Sequence, residues 1–502
     1  MNQYSLQGNF YHTNIDNTIY QEKVIRIIRQ RFGIVIHSHQ IHELNKIIHD
    51  AFVKFSVSPD EYLLLLEKSA ESTPVLDDLM TKITVGETYF FRDKKQVKLL
   101  EDVILPELIT KKRALNDLNL RIWSAGCASG EEIYTIVMIL NELLSADIDK
   151  WKLQLLATDI NTHALKKAIK GHYHEWSMRS INDYYKKKYF TKEKNIYVLT
   201  PEIMNKVEFT YLNLNDNTYP SIFNGTNAQD LILCRNVLIY FDEEITKKIM
   251  QGFCASLVDN GYLMLGASDP IVIKNMDLTF VNNSLYIHKK LEQIISRTED
   301  TYNKKLLPIK TNPIQYKPIK VYAETHKIDS KKATHEITQS MIMSLIHEGK
   351  WKEALKAINN YKKIKSDVFI LNAKATVFAN LGNLNDAVKL CEEIIKIDPI
   401  NIQTHFILAM SLVELNEVKS AEDELRKVIF LDKNYVQAHF QLGLLLLRIK
   451  KHDMGIKSLQ NALIISKSLN QTQPVTDFDA LTYGKLSEIL QREIELHKIS
   501  KG

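Results

Sequence analysis

The residues best suited to chemistry lie in and after the stretch Ile122-Trp-Ser-Ala-Gly-Cys-Ala-Ser-Gly-Glu-Glu-Ile-Tyr134. Gly126 and Gly130 permit a tight turn that opens a helix, so backbone N–H groups can approach a ligand there. About 25 residues further on, the apolar run Leu153–Ala157 leads to Asp159, an acid at the tip of a strand, where it suits ribose hydroxyls. Together these features outline a nucleoside-cofactor site. The glycine spacing is looser than G-x-G-x-x-G and by itself does not identify a ligand. Thr84-Val-Gly-Glu-Thr-Tyr-Phe-Phe-Arg-Asp93 adds a hydroxyl (Thr88) and a guanidinium (Arg92) beside one another. Asp230-Leu-Ile-Leu-Cys-Arg-Asn-Val-Leu-Ile-Tyr-Phe241 is a buried strand that runs into Arg235-Asn236, and ligands bind at the carboxyl ends of strands in open α/β sheets. Asn213-Leu214 occupies the equivalent position after another strand.

These groups need a sheet to hold them. From about residue 115 to 290, apolar strands alternate with helices: Leu118–Trp123, Leu153–Thr158, Val207–Phe209, Leu231–Cys234, Gly261–Gly266 and Thr279–Ile287. Such alternation predicts a mostly parallel sheet covered by helices on both faces. A polar insert rich in tyrosine and lysine interrupts it, with a short hairpin expected around Asn195–Thr200. Upstream, residues 20–82 read as a small all-helical unit, with Val24, Ile27, Ile28 and Phe32 on one apolar face and Ile41, Leu44, Ile47, Ile48 and Phe52 on another. Lys23, Arg26, Arg29 and Arg31 on the first helix form either a solvated face or a dock for an acidic partner helix.

Residues 298–335 lose periodicity and carry Pro308, Pro313 and Pro318, a linker composition. Beyond them the chain repeats. Gly349-Lys350 and Ala354 return as Gly382-Asn383 and Ala387, a shift of 33; His405-Phe406 and Ala409 return as His439-Phe440 and Gly443, a shift of 34. A helix–turn–helix period near 34 is the tetratricopeptide signature. Three repeats are clear, with a partial fourth to about residue 467 and a final helix, Thr482–Lys498, as a cap.

Bulk properties narrow the class. The 502 residues are 25% charged and 45% hydrophobic with a net charge of +5, ordinary for a soluble protein and too mild to argue for nucleic acid. No apolar run approaches the roughly 18 residues that span a bilayer, and the N-terminus lacks a signal-peptide pattern. Cys127, Cys234, Cys254 and Cys391 lie far apart, as in a reduced cytoplasmic protein. His37, His39 and His42 have no carboxylate or cysteine set beside them, so no metal is expected.

Gly86-Glu-Thr-Tyr-Phe-Phe-Arg-Asp93, the Ser124–Tyr134 stretch, Ala157-Thr-Asp-Ile-Asn161, Asn213-Leu214, Cys234-Arg-Asn-Val-Leu-Ile-Tyr-Phe241 and Gly261–Asp269 occur in an order that resembles the CheR-type chemotaxis protein methyltransferases. The resemblance covers roughly residues 20–290, and the repeats resemble the subset of the family with a tetratricopeptide tail. It implies an α/β, Rossmann-like, S-adenosylmethionine-dependent methyltransferase (83–297) with a small N-terminal all-α domain (1–82) and a short β-subdomain insert (184–206). After the linker follow a C-terminal all-α TPR solenoid (336–470) and a capping helix (471–502). It further implies methylation of glutamate side chains on methyl-accepting chemoreceptor helices, with the repeats recruiting or positioning a signalling partner. The alternative is an adaptor whose methyltransferase-like unit is weakly active or inactive.

Carried over by position, Gly86, Thr88, Arg92, Glu132, Asp159, Asn213, Leu214, Arg235 and Asn236 would line the cofactor, and Arg92 and Tyr240 would face the transferring methyl. Gly86 stands where some members have asparagine. The Phe190–Val198 stretch is short and lacks glycine, unlike the loop of members that grip a receptor tail, so tail tethering is not expected. Deleting residues 336–502 is expected to leave catalysis on a concentrated substrate and to change partner choice. The chain is expected to be cytoplasmic, with no nucleic acid bound and no membrane insertion.

Overall fold

The computed structural model describes residues 17–68, 73–84, 87–216, 218–270, 272, 276, 278–282, 285–288, 330–361, 367–475 and 478–498. Gly86 and most of the expected linker lie outside them.

Helices α1 (Asn17–Phe32), α2 (Ile41–Phe55), α3 (Pro59–Glu67) and α4 (Thr73–Ile83) form the N-terminal unit. Their expected apolar faces meet in one core that includes Val24, Ile28, Phe32, Leu44, Ile48, Tyr62, Leu66 and Leu79. α3 starts where it does because Ser58 accepts from the Glu61 amide while the Glu61 carboxylate accepts from the Ser58 amide, and Pro59 takes the first helical position. Next come α5 (Lys94–Leu99) and, through a π-helical turn at Leu100–Ile104, α6 (Leu105–Ala114).

The α/β unit then runs β1 (Asn119–Ala125), α7 (Glu131–Leu144), β2 (Lys152–Asp159), α8 (Thr162–Lys170), β3 (His172–Tyr173), α9 (Asp183–Tyr189), β4 (Phe190–Glu193), β5 (Ile196–Leu199), α10 (Pro201–Met204), β6 (Val207–Tyr211), β7 (Gln229–Cys234), α11 (Glu243–Ser256), β8 (Leu257–Leu265), β9 (Leu278–Asn282) and β10 (Leu285–His288). Seven strands make one sheet in the order β6-β2-β1-β7-β8-β10-β9. The five from β6 to β8 pair in parallel, and β10 and β9 add antiparallel. Thr279–Ile287, expected as a single strand, is two, β9 and β10, which pair antiparallel.

β1 and β7 are buried along nearly their whole length because both faces are covered. Leu120 and Ile122 point into one core with α7, while Trp123 and Ala125 point into the other, beside Ile249 and Phe253 of α11. The order of connections reverses between β1 and β7, which opens a crevice at their carboxyl ends. The insert folds as a second sheet, β3-β5-β4, with the expected hairpin; it also recruits His172–Tyr173, upstream of the expected insert.

The C-terminal region is four helix pairs: α12 (Ser330–His347) with α13 (Trp351–Asn359), α14 (Val368–Asn380) with α15 (Leu384–Ile397), α16 (Ile402–Glu414) with α17 (Val418–Leu431), and α18 (Val436–Arg448) with α19 (His452–Ser468). A short hairpin, β11 (Pro474–Val475) with β12 (Phe478–Thr482), then leads to α20 (Tyr483–Lys498). The fourth pair is complete rather than partial. Cys391, Leu425 and Leu459, each 34 residues apart, are fully buried. Ala375, Ala409 and Gly443 recur at the same interval, and a Cβ at Gly443 would press into Leu459.

The array does not stand apart from the α/β unit. The first helices of three pairs grip the segment Tyr219–Ala228. Phe223 stacks on Phe406 at 5.3 Å, the Ile222 amide donates to Asn380 (3.0 Å), Asn227 donates to the Ala379 carbonyl (3.1 Å), and Gln441 donates to the Phe223 carbonyl (2.8 Å). Arg121, inside the supposedly apolar strand β1, is buried and paired with Glu414. Glu414 of the array supplies the carboxylate that pairs with Arg121, so buried polar contacts join the array to the α/β unit.

Candidate active site

Each motif reaches the crevice for a local reason. Gly126 ends β1 at φ +78°, where a Cβ would overlap the side chain of Val237, so the β1 turn can lie against the β7 turn only if this residue is glycine. Gly130, at φ +87°, starts α7. β2 ends at Asp159, whose carboxylate accepts from the amides of Ala128 (2.8 Å) and Asn161 (2.8 Å) and so ties the β1 turn to the β2 turn. Asn161 then caps α8 by accepting from the Ala164 amide. After β7, Asn236 takes φ +61°, and the Asp269 carboxylate collects the amides of Asn236, Val237, Leu238 and Gly266.

Thr88, Arg92, Glu132, Asp159, Asn213, Leu214, Arg235, Asn236 and Tyr240 all line one cavity of about 310 Å³. These are every expected site residue except Gly86, which lies outside the described residues. The side chains play different parts. Arg235 is buried; it donates to Glu132 (3.1 Å), to Gln96 (2.7 Å) and to the Arg92 carbonyl (2.7 Å), and Ser124 donates to the second oxygen of Glu132 (2.8 Å). Arg235 is thus the frame on which Arg92 is hung. Arg92 sits between two residues with left-handed backbone, Phe91 (φ +58°) and Asp93 (φ +62°), and its guanidinium donates to the Glu87 carbonyl. Asn213 spends its amide group on the Arg31 carbonyl (2.8 Å) and Asp216 (2.9 Å), so its side chain builds the wall instead of reaching inward.

Burial pushes the Asp159 carboxyl above the usual carboxylate range, against the pull of the Asn161, Ala128 and Ile160 amides. Burial likewise raises the Tyr240 hydroxyl; Arg92 opposes that shift and Asp159 and Asp269 add to it, so Tyr240 stays protonated at neutral pH. Cys127 and Cys234 are buried thiols pushed well up, chiefly by burial, which suits inert packing.

Several lining residues were not anticipated. Phe32 and Ile34 come from the N-terminal unit, docked where Val35 donates to the Tyr240 carbonyl (2.9 Å) and Thr84 accepts from Asn161 (3.0 Å). Ile160, Phe241 and Ser268 also line the cavity. A lone aromatic at the end of an amphipathic helix carries no local sign that it faces a pocket instead of a core. Arg31, expected on a solvated or docking face, turns inward to the Leu66 carbonyl (2.7 Å) and Glu488 (3.0 Å), and Arg29 pairs with Asp242.

Comparison with known proteins places the chain in a family. Residues 86–287 match the model described as CheR methyltransferase, SAM binding domain, and residues 370–401 match a tetratricopeptide repeat. A chemotaxis protein methyltransferase of Borreliella burgdorferi is 34% identical over 286 residues, covering 55% of this chain and 97% of that protein. One from Listeria innocua is 29% identical over 264 residues, covering 52% of this chain and 94% of that protein. A third, chemotaxis protein methyltransferase 1 of Pseudomonas aeruginosa, is 36% identical over 193 residues, covering 38% and 68%.

The residues present fit S-adenosylmethionine. Asp159 offers a part-buried carboxylate held by neutral amides, the turn at Gly126 brings only the small side chains of Cys127 and Ala128 to the cavity, and Ile160, Leu212 and Leu214 give an apolar wall. Among the described residues no helix is long and apolar enough to cross a membrane. The chain belongs to the chemotaxis protein methyltransferase family, with S-adenosylmethionine as its cofactor and tetratricopeptide repeats behind its catalytic unit.

Proposed function

We propose that this protein methylates glutamate side chains on the cytoplasmic helices of methyl-accepting chemoreceptors, and that its repeats engage a signalling partner. The observation that carries the first half is the cavity in which Arg92, Tyr240 and Asp159 meet. The cofactor, when bound, supplies an electrophilic methyl group on a sulfonium. Everything else asked of the protein is placement. A glutamate carboxylate, with an ordinary pKa near 4.3, is ionised at neutral pH and needs no general base. Arg92 holds that anion without being able to protonate it. Tyr240, kept protonated by burial, offers a neutral donor beside it. Asp159 accepts from the ribose hydroxyls; Gly86, Thr88, Glu132, Asn213, Leu214, Arg235 and Asn236 complete the cofactor's surroundings. The closed turns and apolar walls keep water away from the reacting pair.

Lys23 and Arg26 remain exposed on α1 and support docking of an acidic helix. The inner face of the array is engaged by the chain's own Tyr219–Ala228 segment, so a partner meets the repeats elsewhere.

The test is to incubate the protein with radiolabelled cofactor and membranes bearing candidate receptors. Label that is released by base, as a methyl ester is, is the expected result. Base-stable label would point to nitrogen methylation, and no label on any receptor would favour the adaptor.

A further inference from the structure

The cavity wall Leu212–Leu214 continues from β6, the outer strand of the main sheet, and this edge is covered by α20. The face of α20 turned toward the array is apolar: Leu486, Leu490 and Ile494 pack with Leu459, Ala462 and Val475. The opposite face is charged, yet Glu488, Arg492 and Glu493 are at most 1% exposed. Buried charges are a costly way to fix a helix that apolar residues could hold. Each of these has a specific target. Glu493 accepts from the Tyr211 amide (2.8 Å) and the Thr210 hydroxyl (2.6 Å), the last two residues of β6. Lys485 pairs with Asp216 (3.2 Å), which also accepts from Asn213. Glu488 takes Arg31 (3.0 Å) and Arg492 (3.1 Å), and Arg492 also pairs with Asp77 on α4 and lies over the Tyr211 ring. Arg31 closes the ring, because its carbonyl accepts from Asn213. A closed set of polar contacts therefore runs from the last helix of the array, around both ends of Leu212–Asp216, to α1, whose Phe32 lines the same cavity.

We propose that α20 is a positioning element of the cofactor site: Lys485, Glu488 and Glu493 hold the Leu212–Asp216 wall against α1, and cofactor affinity therefore depends on how the array is seated. This rests on the assignment of Leu212–Leu214 to the cofactor wall. None of the three residues touches the cofactor; they act through the backbone of β6 and through Asn213. The coupling is reciprocal: cofactor binding favours the seating of α20 by the same factor by which that seating strengthens cofactor binding.

The test is the full-length protein titrated calorimetrically with S-adenosylhomocysteine, together with amide hydrogen exchange. Lys485→Met and Glu493→Gln are expected to bind about fivefold or more weakly, while Lys485→Arg stays within about twofold of the unaltered protein. Loss of stability alone would not produce that pattern, since affinity is read on folded protein and the conservative variant restores it. In the unaltered protein, S-adenosylhomocysteine is expected to slow exchange across residues 483–498 as well as 207–216, a readout that needs no variant to fold. Equal affinity in Lys485→Met, or ligand protection that stops short of residue 483, would overturn the proposal. Leu214→Ala separates the two links. If it weakens binding and Lys485→Met does not, α20 has no positioning role; if neither does, the wall itself has been misassigned and the proposal goes with it.

Discussion

The carboxyl end of the sheet and its β6 edge both bury polar groups, and they satisfy them in opposite ways. At the carboxyl end the work is done by backbone: Asp269 gathers four amides and Asp159 two, all from turns within a few residues of a strand end. At the β6 edge it is done by side chains from the far end of the chain, with Thr210 and Glu493 separated by 283 positions. The first arrangement leaves Asp159, with two amides on its carboxylate, able to accept further hydrogen bonds from a ligand. The second consumes its charges internally. A polar cluster built on turns is thus a place to bind; one built on mutually paired side chains is a place to fasten.

Arg492→Ala should give the largest effect that sharpens this contrast. It strips a fully buried cation from Glu488 and Asp77, and about 3–5 kcal/mol of stability should be lost, read by urea denaturation. A loss no greater than that of an exposed pair would erase the distinction between the two regions. Next is Arg92→Ala, which should lower the methyl-transfer rate by about 10²–10³-fold while the melting transition stays put, since among the described residues its guanidinium donates to the Glu87 carbonyl and lies near the Tyr89 ring without joining a buried ion pair. Unchanged transfer would remove Arg92 from the proposed chemistry.

The smallest effect depends on pH. Burial pushes Asp216 up to about 6 in the folded protein, although Lys485 pulls it down. A carboxyl whose folded pKa is raised favours the fold below its unfolded value, near 4, and loses that contribution as pH climbs through about 6. The stability of the unaltered protein relative to Asp216→Asn should therefore fall by up to about 3 kcal/mol between pH 4 and pH 7. A difference that does not change with pH would mean that Asp216 is not buried as described.

What was legible in the sequence follows the same division. Gly126, Asp159 and Arg235-Asn236 announce themselves because a turn at a strand end needs particular residues at fixed spacing, and they share one cavity. The repeat period was equally open, since each unit must offer the same buried positions to its neighbour: helices begin at 368, 402 and 436 and again at 384, 418 and 452. Arg31, Arg121 and the charged face of α20 were opaque. A buried ion pair looks, along the chain, like two separate surface charges, and nothing local says that Arg121 will find Glu414 293 residues away. Asn213 shows an intermediate case: its position beside the cavity could be inferred, but its side chain's commitment to Arg31 and Asp216 could not.

The Phe223 ring laid flat on Phe406 has a consequence for anyone recombining these modules. A tetratricopeptide tail of identical length from another source would bring the right curvature and the wrong contact, leaving an aromatic shelf on each half exposed to water. Grafts between relatives should therefore carry the Tyr219–Ala228 segment and the array together, as lock and matching key, and chimaeras that split them should come out of solution sticky.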